Sequence, residues 1–339
     1  MSNISVNTIT DASGGSTASI NGLTPQASNM QPHNLIINGN MAIWQRGVSQ
    51  TSTGYGCVDR FSNTVSGTVT FSQETTGLPS GFAYALKWTT GAGTSYGQVR
   101  QFIETENVKS LRSKTLTASA YVKVSSNYSG VISWEIGYST GGDGSGASYT
   151  VLASTNATTA SSSDASADYK RISCNVTIPA DAVGLYIGIV PSVVQATGVS
   201  CSITGVQLEA GSSASSFAHE FVGDTLRKCQ RYCLDLSPIA STPAPYLAGT
   251  GAVANSTVTV FITSFPVEMR ATPAVTLSGT PSDYRVYNGS SLTVTAYGIN
   301  GMSPRGGGIN FVVSSGVSAG QAAGIYTNTS VRSILDAEL

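Results

Sequence analysis

From Leu35 onward, apolar and polar residues alternate in short runs. In TLTASAYVKV, Leu116, Ala118, Ala120, Val122 and Val124 fall on one side, and Thr117, Ser119, Tyr121 and Lys123 on the other. A period of two sustained over such a run marks a half-buried antiparallel strand. VISWEIGY repeats the pattern with Ile132, Trp134, Ile136 and Tyr138, and KRISCNVTI with Ile172, Cys174, Val176 and Ile178. FAYALKW, GQVRQFIE, GLYIGIV and CSITGVQL complete the series, and turn-forming runs such as TTGLPSG, TTGAGTS and STGGDGSGAS separate its members. Many short strands joined by Gly and Ser turns, without intervening helices, predict a sandwich or jelly roll.

Two segments depart from this pattern. Residues 1–33 have no sustained apolar periodicity, only the scattered Ile4, Val6, Ile9, Ile20 and Leu23. Such a stretch does not bury enough surface to fold alone, so it reads as a tail, or as an arm ordered by a partner. In GDTLRKCQRYCLDL, Leu226, Cys229, Cys233 and Leu236 recur at helical spacing behind Asp224 or Thr225 as N-cap, which predicts one amphipathic helix over 223–236. A Pro-rich break follows at SPIASTPAPYLAG. Strand patterns then resume (STVTVFITSF, PAVTLSG, DYRVYNG, SLTVTAYGI, INFVVSS, GIYTNTS), predicting a second β-unit over 237–339.

The composition narrows the class. Charged residues make up 10% of the 339, against about 25% in an ordinary soluble domain. The chain carries 50 Ser and 38 Thr, so hydroxyls rather than charges keep it hydrated. With a net charge of −1 it has no basic stripe for nucleic acid, and no apolar run long enough for a membrane helix. The opening residues lack the basic and apolar regions of a secretory signal. The cysteines, Cys57, Cys174, Cys201, Cys229 and Cys233, are odd in number and irregularly spaced, which predicts mostly free thiols.

Candidate chemistry is sparse. The two histidines, His33 and His219, sit in contexts that suit surface or packing roles better than a catalytic base, and no zinc-type spacing is present. Asp59, Glu74, Glu104, Glu106, Glu135, Asp143 and Glu209 are the carboxylates from which a glycosidase pair would be drawn, but nothing in the sequence brings two of them together. GGDGSG (141–146) occurs once and reads as a hairpin tip, not a stacked calcium repeat. No catalytic residue, metal ligand or cofactor site is assigned, and the chain is not expected to be an enzyme. Aromatics are the better lead. Trp134 shares the face of Ile132 and Ile136 and reads as core, whereas Tyr96, Tyr149, Tyr284 and Tyr287 lie near loops, with Arg285 as a donor for an acidic glycan. These five are the candidate glycan contacts.

Several landmarks together resemble a known family. LIINGNMAIWQRG, YGCVDRF, ITGVQLEAGSSASSFAHEF and LRKCQRYC are similar to segments of bacteriophage tail-fibre or capsid-fibre proteins that contain a carbohydrate-binding-module-like jelly roll. FPVEMRATPAVTL and the closing DAEL resemble the C-terminal part of such proteins, and ISVNTITDASGGSTASINGLTP their N-terminal arms. Phe61 departs from the pattern, where Trp is common after the Asp-Arg pair. The landmarks read as fold-makers: Asn38 and Gly39 permit a tight turn, Asp59 and Arg60 start a strand, and Glu209 is expected to pair with Arg46 or Arg60.

The resemblance implies an all-β virion protein assembled in the bacterial cytoplasm. It has an arm over 1–33 docking onto tail or capsid through Ile4, Ile9, Ile20 and Leu23, a jelly roll over 34–222, a linking helix over 223–236 and a C-terminal β-sandwich over 237–339. It also implies a homotrimer that contacts other virion proteins and a host-surface glycan, with neither nucleic acid nor membrane insertion. A decoration or head-fibre protein without receptor contact is the alternative, and a glycan-degrading spike a further one.

Overall fold

The computed structural model describes residues 34–93, 95–237, 247, 250–327 and 331–339; the arm residues Ile4, Ile9, Ile20 and Leu23 lie outside them. The protein is all-β. Two antiparallel sheets form the first unit. The six-stranded sheet runs, edge to edge, Ser49–Gln50, Val69–Glu74, Ala85–Thr90, Ser200–Ala210, Thr115–Val124, Lys170–Thr177. The five-stranded sheet runs Ser62–Ser66, Tyr96–Ile103, Gly184–Pro191, Ile132–Ser139, Thr150–Val151. Most neighbours in each sheet, such as Ser200–Ala210 with Ala85–Thr90 and with Thr115–Val124, are distant in sequence, as in a jelly-roll sandwich. The alternating apolar residues meet between the sheets: Leu116, Ala118, Ala120 and Val122 are fully buried and pack in one core with Ile132, Trp134, Ile136, Ile172 and Ile187.

The strand Ser200–Ala210 breaks its own alternation. Ile203 and Leu208 both face the core, because the register slips between Thr204 and Gln207. Gly205 sits in this bulge at φ +60, and a Cβ there would meet the Phe82 and Tyr121 rings at 2.8 Å, so both backbone and space demand glycine. Residues 34–39 run along the same stretch. The Leu35 amide donates to the Leu208 carbonyl at 2.9 Å, and the Val206 amide to the Gly39 carbonyl at 2.8 Å. Asn38, at φ 62, folds the following loop by donating to the Ile43 and Asp59 carbonyls and accepting from the Ile43 amide.

The expected helix over 223–236 is shorter. It spans Val222–Gln230, starts from Phe221 without a side-chain cap, and holds Asp224 in its first turn. Cys233–Asp235 is a strand, paired with Ser333–Asp336, which also pairs with Ala274–Leu277. The helical spacing through Cys233 and Leu236 is overridden by pairing with Ser333–Asp336, which draws Cys233–Asp235 into extended backbone. Beyond it lies a closed six-stranded barrel rather than the expected sandwich. The strand Ala322–Thr327 pairs with both Thr250–Val253 and Tyr284–Tyr287, which joins the two ends of the sheet around Phe261, Tyr284, Ile309 and Phe311.

A buried polar junction ties residues 332–339 to the sandwich. Arg60, 1% exposed in its side chain, forms an ion pair with Glu338, whose other oxygen accepts from Arg46 at 3.2 Å. Arg46 also reaches Asp336 at 2.9 Å. The Arg60 guanidinium lies 3.4 Å from the centre of the Tyr232 ring and donates to the Phe102 carbonyl. Gln45 donates to the Cys233 carbonyl, and Arg332 to the Gln45 carbonyl and Asp235. Arg270 binds the carbonyls of Ala337 and Glu338 at 3.0 Å each. Glu209, expected to meet Arg46 or Arg60, instead accepts from Ser215 and Gln207 and closes the 211–218 loop. The residues that do pair with the arginines lie 278 to 292 positions away, beyond reach of any local signal.

Asp59 is buried in this junction. Burial pushes its carboxyl up to about 6, outweighing the charge of Arg46 and two hydrogen bonds from Gln45. Replacing Glu338 with Gln leaves Arg60 buried without its counter-charge and is expected to cost about 3–5 kcal/mol in denaturant unfolding; a loss below about 1 kcal/mol contradicts a shared buried junction. Because Asp59 binds its proton more tightly when folded, its contribution is complete below about pH 4 and is lost as pH rises through about 6. The stability of the wild type relative to Asp59→Asn therefore falls between about pH 4 and pH 7, and a flat difference across urea titrations refutes this.

Candidate functional site

The outer face of the five-stranded sheet carries a cluster of polar and aromatic side chains, whose Phe102 and Tyr186 pack against Tyr232 and Leu339 of the junction. Strand alternation builds it. Leu185, Ile187 and Ile189 point into the core, so Gly184, Tyr186 and Gly188 point out. The register sets Tyr186 between Phe102 and Gly137, and Gly188 between Arg100 and Glu135. Both glycines leave room for what crosses them. A Cβ on Gly137 would fall 2.4 Å from the Tyr186 ring, which therefore lies across that position, and one on Gly188 would crowd Arg100 at 3.2 Å.

Over Gly188, Arg100 Nη2 donates to Glu135 Oε1 at 2.6 Å, and the Tyr186 hydroxyl donates to the same oxygen at 2.8 Å. The guanidinium lies 5.1 Å from the Tyr186 ring centre. Tyr149, entering from the hairpin before Thr150–Val151, sets its ring edge-on to Tyr186 at 5.0 Å and tilted to Phe102 at 5.7 Å. Burial, together with the Glu135 charge and hydrogen bond, pushes the Tyr186 hydroxyl up, so it stays a donor. Two donors here have no partner among the described residues: Arg100 Nε and the Tyr149 hydroxyl, both shielded from bulk solvent. Buried donors are seldom left unmet, and a water or ligand oxygen is the ordinary remedy.

The five candidate glycan contacts divide. Tyr96 and Tyr149 belong to this face, Tyr96 half-buried on the outer side of Tyr96–Ile103 with Gln98 and Arg100. Tyr284, Arg285 and Tyr287 lie on the barrel. Tyr284 is fully buried, its hydroxyl donating to the Ser278 carbonyl, so it is not a surface contact. Alternation within Tyr284–Tyr287 turns Tyr284 and Val286 inward and leaves Tyr287 44% exposed. Arg285 donates to the Ser282 carbonyl. Arg100 and Tyr186 are additions from the structure, which joins them to Glu135, one of the candidate carboxylates; the available signal was a tyrosine flanked two residues away on each side by glycine, in GLYIGIV.

The remaining carboxylates are engaged separately. Glu104 pairs with Arg231; burial opposes its charge, but hydrogen bonds from Arg231 and Tyr232 hold its carboxyl below the usual range. Asp143, at the tip of GGDGSG, accepts from the amide and hydroxyl of Thr105. Among the described residues no group of three or more His, Cys, Asp or Glu could hold a metal ion. All five cysteines are free and buried; burial pushes the Cys57 thiol up to about 11 and the Cys174 thiol up to about 12. His219 packs against the rings of Phe82 and Phe217.

No family model matches the chain, and no curated protein does. Among solved structures, it is similar to the CBM22-1 xylan-binding domain of Paenibacillus barcinonensis Xyn10C, with 9% identity over 51% of this chain and all of that one, at a TM-score of 0.32. The tandem CBM22-1–CBM22-2 domain of the same protein matches at 9% identity over 87% of this chain and 98% of that one, TM-score 0.33. The enzymatically active domain of tailspike protein 4 of bacteriophage CBA120 matches at 12% identity over 53% of this chain but 22% of that one, TM-score 0.34. Likenesses at this level assign no function.

The geometry of the face makes one direct prediction. Gly137→Ala forces the Tyr186 ring off the sheet and is expected to destabilise the fold by about 1–3 kcal/mol and to change the near-ultraviolet circular dichroism of the tyrosines. An unchanged spectrum and melting temperature would show that the ring does not lie there.

Proposed function

We propose that this chain is a virion structural protein of a bacterial virus, a fibre or spike component that attaches to a host-surface glycan through the outer face of the five-stranded sheet. The observation that carries the glycan reading is the partly exposed Arg100–Glu135 pair set beside the rings of Tyr186 and Tyr149. Donors fixed by a rigid sheet, next to aromatic carbon, are what a sugar ring with its hydroxyls requires. Tyr96, Gln98 and Ser133 extend the same face with half-buried polar groups.

The virion assignment draws on the hydroxyl-rich, charge-poor composition and on the landmarks of residues 34–61, 203–221 and 226–233. Residues 1–33 serve as the anchoring arm in this reading, and three copies associate. Phe221, 84% exposed, and Val222, 59% exposed, sit side by side at the helix start and suit burial against another copy. Three equivalent faces would raise the avidity of a weak sugar contact. A second reading, a decoration or head-fibre protein without receptor contact, draws on the Arg100–Glu135 pair, which already neutralises itself.

A glycan array probed with the wild type and with Arg100→Ala, alongside adsorption of virions to host cells, tests the proposal. Binding to a defined glycan that falls at least about tenfold in Arg100→Ala, with the melting temperature retained, is the expected result. A blank array together with unimpaired adsorption of virions lacking the protein overturns it in favour of the decoration role.

A further inference from the structure

The opposite side of the sandwich holds a second polar site, built by the outer face of the six-stranded sheet. One register row reads Ser72, Lys87, Ser202, Lys123, so the two lysines flank Ser202 on neighbouring strands. They project into a cleft of about 130 Å³, walled by Thr76 and Gly77 on one side and by Ser125, Ser166 and Ser200 on the other. This volume is well below the 300–1,000 Å³ of a drug-sized pocket, so it suits one substituent or one sugar rather than a chain.

The charges in the cleft do not cancel. Lys87 pairs with Glu74 at 3.1 Å, and the Tyr169 hydroxyl donates to the other oxygen of Glu74 at 3.0 Å. Burial opposes the charge of Glu74, but hydrogen bonds from Ser202 and Lys87 outweigh it and keep the carboxyl ionised below its usual range. That carboxylate is therefore fully engaged. Lys123 is half-buried on the cleft wall and has no ion pair or side-chain hydrogen bond among the described residues. One ammonium is left over, set among serine hydroxyls and partly withdrawn from water, where an opposite charge is worth more than at an open surface.

We infer that this cleft is a binding site for the carboxylate of an acidic sugar, with Lys123 holding the charge and Ser125 and Ser200 meeting the adjoining hydroxyls. Lys123 opposes the anion as a point charge, and the Lys87–Glu74 pair rigidifies the wall beside it without competing for the ligand. The inference stands on its own geometry and does not depend on the glycan reading of the other sheet.

Titration of the full chain with D-glucuronate, followed by nuclear magnetic resonance shifts or calorimetry, tests it, with D-glucose as the neutral control. Saturable glucuronate binding is expected, weakened by salt, at least about tenfold weaker in Lys123→Gln, and within a few-fold of wild type in Lys123→Arg. Competition by inorganic sulfate but not by glucose supports an oxyanion pocket. Glucose binding as well as glucuronate, or Lys123→Gln binding with unchanged affinity while remaining folded, overturns the assignment.

Discussion

The link between the sandwich and residues 332–339 centres on one buried ion pair. Arg60 and Glu338 meet where almost no solvent reaches them, with Arg46, Asp59 and the Tyr232 ring packed around. Burying those charges is costly, and only their close mutual engagement offsets the loss of hydration. The pair therefore demands that four stretches of chain be in place at once: the loop around 45–47, the turn at 59–61, the end of the Val222–Gln230 helix region and residues 336–339. The junction works as a registration device, because no partly assembled arrangement satisfies all of its charges.

The two sheets of the sandwich divide their labour around a shared dry core. Their inner faces are aliphatic and pack Trp88, Trp134 and the branched residues together. Their outer faces differ. The five-stranded sheet carries aromatic carbon and a self-paired arginine, while the six-stranded sheet carries serines, two lysines and a cleft. Strands hold most of these side chains at fixed spacing, and the loops bearing Tyr149, Thr76 and Ser166 complete each face.

Residues 34–47 and 201–217 are neighbours in space as well as landmarks in sequence. Asn34 and Leu35 bond to Val206 and Leu208 beside the bulge, which places the start of the module against its final strand. Glu209, expected from sequence to pair with Arg46 or Arg60, and its neighbour Gln207 spend their hydrogen bonds on the loop immediately after them. A carboxylate within reach of backbone amides and a serine hydroxyl is satisfied locally, and the sequence offers no measure of which partner is nearer.

The amino-acid sequence alone determined that this is an all-β protein, which strands alternate and which face of Thr115–Val124 or Ile132–Ser139 is buried, because that information is carried by neighbours two residues apart. The same reasoning placed Trp134 in the core. Only the tertiary structure decided where alternation breaks at Gly205, that Cys233–Asp235 is a strand, that the distal strands close into a barrel, and that Tyr284 is internal while Tyr149 joins Tyr186. Each of those outcomes depends on a partner tens to hundreds of residues away. A local pattern specifies which side of a strand is apolar; it contains nothing about which other strand will cover it.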